Sequence, residues 1–416
     1  MEFKILFQKN FIILMIAKAI SFLGINVLNF ALSLYVLNKT GSATAFASVV
    51  SIAILPRIFL GPFAGVFIDM FDKKSILIFL EIINICILIV SLLVYIKTGM
   101  FSMIHIFLLV ISISSINVFI DPCITSIIPQ IVSQSEIINA NGINSLLSSI
   151  MILIYPLIGS ILISLDGLYI VYLLTIALMI VSLIFKSIVK IPRQKSSKIN
   201  SSKFKKEFIE GITFIKTNDF IKLTLFILVI TNLLINPLLT VGLPYIIKEF
   251  FEFSNTQYGT VESIIGFSMI IAPFISSFLM PKWSFGKSLS YISIGIGLIC
   301  ITLSGVLYFY IENKNIVYYS IIFAGCLITV LGVVINIIIQ TYVQKIVPFN
   351  MLGRVYSTSM AICLSITPIG QLIFGLAVDK INPIVCMCIT GGLLIISILS
   401  VMKSIFSVLN VELEAN

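Results

Sequence analysis

The stretch that decides the fold reads GPFAGVFIDMFDKK, from Gly61 to Lys74, and SILIFLEIINICILIV, from Ser75 to Val90, follows at once. Apolar text stops for Asp69, Asp72, Lys73 and Lys74, then resumes with no linker. In hydrocarbon such a break has a physical meaning. Charges gather where a chain leaves the bilayer and turns back into it. Composition demands that solvent: the 416 residues are 59% hydrophobic and only 10% charged. The mean hydropathy is +1.18. A soluble domain carries about 25% charged residues, which this chain lacks for a watery surface.

A bilayer span needs about 20 apolar residues. The sequence offers twelve such runs, at 11–37, 44–68, 75–97, 103–128, 140–164, 169–189, 220–247, 257–280, 288–310, 317–344, 355–378 and 384–406. They are continuous rather than alternating, which argues for helices and against a β-barrel. The first is too long for a signal-peptide core and lacks a small-residue cleavage site. One break is long, KIPRQKSSKINSSKFKKEFIEGITFIKTND from Lys190 to Asp219. It divides the runs six and six. KNFIILMIAKAISFLGINVLNFALSLYV (from Lys9) parallels NDFIKLTLFILVITNLLINPLLTVGLPYI (from Asn218). The expected architecture is therefore an all-α polytopic membrane protein of two six-helix pseudo-repeat bundles. Its parts are residues 1–189, a cytoplasmic central loop at 190–219, and residues 220–416.

The net charge is +9, from 26 Lys and Arg against 17 Asp and Glu. In a membrane protein this balance marks cytoplasmic loops rather than a nucleic-acid surface. With the amino terminus inside, 19 of the 26 cations fall on the cytoplasmic side, Lys186 among them, and five on the other. Both termini are thus expected in the cytoplasm, in the cell membrane. The single His105 builds neither a metal site nor a triad, and the seven cysteines lie in apolar runs. No phosphate-cradling G-x-x-x-x-G-K-[ST] sequence and no nucleophile–base set is present, so no enzyme and no cofactor are expected.

Polar residues in a span should face a cavity or a partner. Asn26, Asn29 and Ser33 fall on one side of the first span, with Lys18 close by. Asn117, Asp121 and Thr125 are spaced i, i+4, i+8 in the fourth. Asn232, Asn236 and Thr240 repeat that spacing in the seventh, and Asn336 and Gln340 carry it in the tenth. Interhelical hydrogen bonding is the competing reading. Intramembrane charges are rarer: Lys18, Arg57, Glu81 and Asp121 in the first four spans, about 9–18 Å deep at 1.5 Å per residue, and Glu262 in the eighth. A proton-responsive group is one reading, with Asp121 paired to Lys18 or Arg57. A static buried network, or lysine and arginine reaching for the surface, is the other.

Gly65, Asp69, Met70, Lys73 and Lys74 resemble the signature turn of the major facilitator superfamily, G-x-x-x-D-[RK]-x-x-R-[RK], with Met70 departing from it. YPLIGSIL (Tyr155–Leu162) is similar to a worn fifth-span antiporter motif, G-P-x-x-G-G, through Pro156 and Gly159. VPFNMLGRVYS (Val347–Ser357) and IPQIVSQSEIINANG (Ile128–Gly142) resemble loops of its drug-efflux branch, which includes macrolide and siderophore exporters. The resemblance implies that spans one, four, seven and ten line a central cavity. It also implies that Asp69 reaches the start of the eleventh span beside Arg354. The function it suggests is proton-coupled export of amphipathic small molecules by alternating access, with a small-molecule substrate, protons and membrane lipid as partners and a monomer as the unit. An importer on the same fold remains open, as does a non-transporting sensor or scaffold.

Overall fold

A computed structural model describes residues 8–99, 101–133, 136–192, 210, 212–279 and 285–414. Among the described residues, twelve helices are long and apolar enough to cross a membrane, one for each run in the sequence. The first four are α1 (Lys9–Thr40), α2 (Ala43–Met70), α3 (Lys73–Thr98) and α4 (Met103–Ile131). One helical run, Ile137–Ile188, holds two spans, α5 (Asn139–Leu165) and α6 (Gly167–Ile188). The rest are α7 (Asp219–Phe250), α8 (Asn255–Phe278), α9 (Phe285–Phe309), α10 (Lys314–Ile346), α11 (Phe349–Lys380) and α12 (Pro383–Glu414). Most of the expected central loop lies outside the described residues.

The Ile137–Ile188 run must reverse. Gly159 lies against Phe30, and the Thr175 hydroxyl donates to the Gly24 carbonyl at 3.2 Å. Gly24 and Phe30 are about 9 Å apart along α1, whereas a straight helix would part Gly159 from Thr175 by about 24 Å. The reversal sits at Gly167, whose φ of 59° suits a residue without Cβ. In α7, Pro237 and Pro244 each remove a backbone donor, and wide π turns at Leu238–Gly242 and Ile246–Phe250 follow them.

The chain forms two compact units. One contains α1, α2 from Ile52 onward, α3 to α6, and the start of α8 through Ser263. Its core joins Phe11 and Leu14 of α1 to Leu77 and Leu80 of α3 and Ile120 and Ile124 of α4. The other contains Gly41–Ser51, α7, the rest of α8, and α9 to α12. In it Phe285 stacks on Phe220 at 4.9 Å and meets Tyr342 at 4.4 Å.

Small residues set a close helix crossing in this second unit, as they do where apolar lipid supplies no drive for association. A Cβ at Gly391 would fall 2.6 Å from the Gly297 carbonyl oxygen, and one at Gly297 would fall 2.8 Å from the Gly391 oxygen. Both neighbours are backbone and cannot step aside. Gly391→Ala is expected to destabilise the protein by about 1–3 kcal/mol, the usual cost of overpacking. Gly392→Ala is the control, since its Cβ would meet nothing within 4 Å. Thermal unfolding of both variants in detergent checks the difference.

Candidate functional site

The polar stripes occupy open faces. None of Asn26, Asn29, Ser33, Asn117, Thr125, Asn232, Asn236, Thr240, Asn336 and Gln340 is fully buried, and Thr125, Asn336 and Gln340 are exposed. Six of them bond back to a carbonyl one turn earlier on their own helix: Asn26 to Phe22, Ser33 to Asn29, Thr125 to Asp121, Asn232 to Leu228, Thr240 to Asn236 and Asn336 to Gly332. Among the described residues, the stripes make few bonds between helices. Thr367 of α11 meets Asn232 at 3.5 Å, and the Gln371 amide donates to the Thr240 hydroxyl at 3.1 Å. Interhelical glue therefore accounts for little of this polarity. Exposure to lipid would leave costly polar groups in hydrocarbon.

Asn232, Asn336 and Gln340 share one cavity of about 370 Å³ in the second unit. Its walls come from α7, α10 and α11, and add Thr224, Leu228, Tyr356, Ser359, Met360 and Cys363. Among the described residues, no Asp, Glu, Lys, Arg or His lines it. An uncharged lining that mixes amides and hydroxyls with Leu, Met and Tyr suits amphipathic solutes. Asn236 and Thr240 sit further along α7 and do not line it. Asn26, Asn29, Ser33, Asn117 and Thr125 belong to the first unit.

Two ion pairs of that first unit join Lys18 to Asp121 and Lys186 to Glu81. Lys18 is buried, and its ammonium lies 3.5 Å from Asp121, 2.8 Å from the Asn144 amide oxygen and 3.2 Å from the Ser148 hydroxyl. Asp121 keeps 49% of its side chain exposed. Glu81 is enclosed: Lys186 lies 2.8 Å away with both side chains at 0% exposure, and the Ser21 hydroxyl donates to the carboxylate at 3.1 Å. Lys186 corrects the sequence reading, which counted it among the cytoplasmic loop cations. Arg57 is exposed on α2 and joins neither pair. Glu262 is half-buried on α8 and accepts a hydrogen bond from the Tyr258 hydroxyl. Tyr258 in turn stacks on Phe30 at 5.3 Å.

The charges of the opening stretch cap helices. Asp72 is the N-cap of α3 and accepts from the Ser75 amide at 3.0 Å and its hydroxyl at 2.8 Å. The Lys74 ammonium donates to the Ser187 carbonyl at 2.6 Å, in the last turn of α6. Lys73 donates to the Ser126 carbonyl of α4 at 3.2 Å. The Lys74 ammonium meets the negative end of a helix. The side chains of Gly65 and Asp69 lie outside the described residues. Arg354 of α11 is ion-paired with Glu210.

The antiporter-like pair, Pro156 and Gly159, is closely packed. Gly159 abuts Phe30, where a Cβ would fall 2.7 Å from the ring. The Pro156 carbonyl faces Gly259 of α8 with only 2.8 Å to spare for a Cβ there. Sequence reading also passed over Gln371, which is buried and joins Thr240 to Ser51, whose hydroxyl donates to it at 2.9 Å.

The sequence matches the Major Facilitator Superfamily over residues 14–369. It is 24% identical over 385 residues to Macrolide efflux protein A of Streptococcus pyogenes, covering 91% of each chain. Among solved structures it resembles the nucleoside transporter NupG, at 14% identity and a TM-score of 0.74 over 95% of this chain and 99% of that one. A bacterial homologue of the iron transporter ferroportin follows at 14% identity and a TM-score of 0.72, again over 95% and 99%. Twelve spans, the turn at Gly65–Lys74 and the match along most of the sequence agree, and the chain belongs to the Major Facilitator Superfamily of transporters.

Proposed function

We propose that this protein exports amphipathic small molecules across the cell membrane in exchange for protons, by alternating access. The observation that carries the reading is the uncharged cavity of α7, α10 and α11, whose Asn336 and Gln340 are exposed. The efflux relative favours export and a drug-like solute. Asp121 is the proposed proton carrier, since it is the half-exposed member of an intramembrane pair. Both termini are proposed to face the cytoplasm because cations are concentrated in the loops on that side. A single chain, working as a monomer among membrane lipids, supplies the whole cavity.

Purified protein in liposomes tests this. Radiolabelled macrolide should accumulate in acid-loaded vesicles beyond the level of protein-free vesicles, which report passive trapping of a weak base, and a protonophore should abolish the excess. Accumulation driven instead by acid outside would make it an importer. No movement under either gradient would leave a sensor or scaffold.

The cavity makes a second expectation. Asn336→Leu and Gln340→Leu should each raise the half-saturating solute concentration about two- to ten-fold, as the loss of one hydrogen bond does. Maximal rate should hold. Transport kinetics of each variant against Ser115→Ala, a residue of the other unit, provide the check.

A further inference from the structure

The last turns of α11 present Gln371, Gly375 and Asp379 at i, i+4 and i+8, one face of a helix. That face grips the first turns of α2. Asp379 accepts from the Ala43 amide at 2.7 Å through Oδ1. Through Oδ2 it accepts from the Thr44 amide at 3.0 Å and the Ser42 hydroxyl at 2.7 Å. One carboxylate thus takes two of the donors that every helix start leaves unpaired, and it sits at the positive end of the α2 dipole. One turn back, a Cβ on Gly375 would fall 2.9 Å from that of Ala47 and 3.0 Å from the Ala43 oxygen, so glycine permits the approach. A further turn back, Ser51 donates to Gln371 at 2.9 Å. Compactness divides α2 at the same place, Gly41–Ser51 with α11 and Ile52 onward with α1.

The sequence adds a second observation. Gly375-Leu-Ala-Val-Asp379-Lys380 repeats the G-x-x-x-D of Gly65–Asp69, and each aspartate is the last residue but one of its helix. The α2 copy ends at the opposite end of α2 from the one that Asp379 caps.

We propose that Asp379 is a latch: it ties the start of α2 to the end of α11 in one state of the transport cycle and lets go in the other. The inference rests on the alternating-access reading. The contact is built to be reversible. Ser42 also accepts from the Ala45 amide at 3.2 Å, so α2 keeps a cap of its own when the carboxylate leaves. The Ser42 and Thr44 bonds are at exposed positions, where water replaces the carboxylate. Repeating the motif on both helices gives one helix pair an aspartate for each end.

The test uses the full chain in lipid nanodiscs, with spin labels at the exposed Lys39 and Ile381 and with exposed Cys86 and Cys388 changed to serine. Two distance populations are expected. Asp379→Asn should lower the ratio of short to long about ten-fold, the factor expected of one charge at a helix end. Asp69→Asn should move the ratio the other way. Gly375→Ala wedges the same contact and should shift it in the direction of Asp379→Asn, which keeps the proposal testable should that variant not fold. A ratio unchanged in both Asp379→Asn and Gly375→Ala overturns the latch. The readout needs no solute, so a latch that responds in a protein that moves nothing would sink the transport reading alone.

Discussion

Lys186→Ala is expected to cost about 3–5 kcal/mol of stability, because it strands a buried carboxylate without its cation. Glu81 and Lys186 are 2.8 Å apart and neither side chain touches solvent. Ser21 completes the cluster from α1, so three helices meet at one charge pair. Removing one partner leaves the other in a medium that cannot solvate it. Removing both together should behave differently. Glu81→Gln with Lys186→Met keeps the volume and carries no charge, and such replacements are often neutral. The double variant should therefore recover most of the loss, a coupling that a mutant cycle measures directly. Thermal unfolding of the two single variants and the pair in detergent is the measurement. Wild-type stability in Lys186→Ala would mean that water reaches Glu81, and Glu81 would then return as a proton-coupling candidate. Retained proton coupling in the double variant would fix the pair as a structural pin.

The sequence alone could not reveal this pin, and the reason is geometric. Lys186 lies two residues from the end of α6, where a lysine normally reaches for the interface. Its partner is 105 residues away on another helix. Hydropathy carries no information about which way such a side chain turns. Spans are different: bilayer thickness imposes a length that each helix must satisfy by itself, and all twelve were legible. Polar stripes were legible for a related reason, since period and cost in hydrocarbon are both local properties. The open faces of Asn232, Asn336 and Gln340 follow from them, but the apolar half of that cavity does not. Met360 and Cys363 look like any core residue until α11 is placed beside α7 and α10. Asp72 had a local signal too, a serine three residues on at a helix start, and it caps α3 accordingly. Asp379 had none, because the donors it caps lie 336 residues earlier in the chain.

Asp121→Asn is expected to abolish proton-driven accumulation of solute while leaving solute affinity within about two-fold, the pattern of a residue that acts in the driven step rather than in binding. Two intramembrane carboxylates of the first unit face cations, and they differ in access. Glu81 is sealed, whereas Asp121 keeps nearly half of its side chain open. The pair it makes is also the looser one, 3.5 Å against 2.8 Å. Lys18 does not depend on Asp121 alone, since Asn144 and Ser148 both accept from its ammonium. Departure of Asp121 therefore does not leave the buried lysine bare. On the proposed mechanism Asp121 parts from Lys18 in one state of the cycle and returns to it in the other. Asparagine keeps the shape and loses the cycle, while Asp121→Glu keeps the acid and should retain part of the coupling. The comparison is made in liposomes, with accumulation measured against the imposed proton gradient and binding measured at equilibrium without one. Full coupling in Asp121→Asn would move the proton site to Glu262, the carboxylate of α8 that Tyr258 holds.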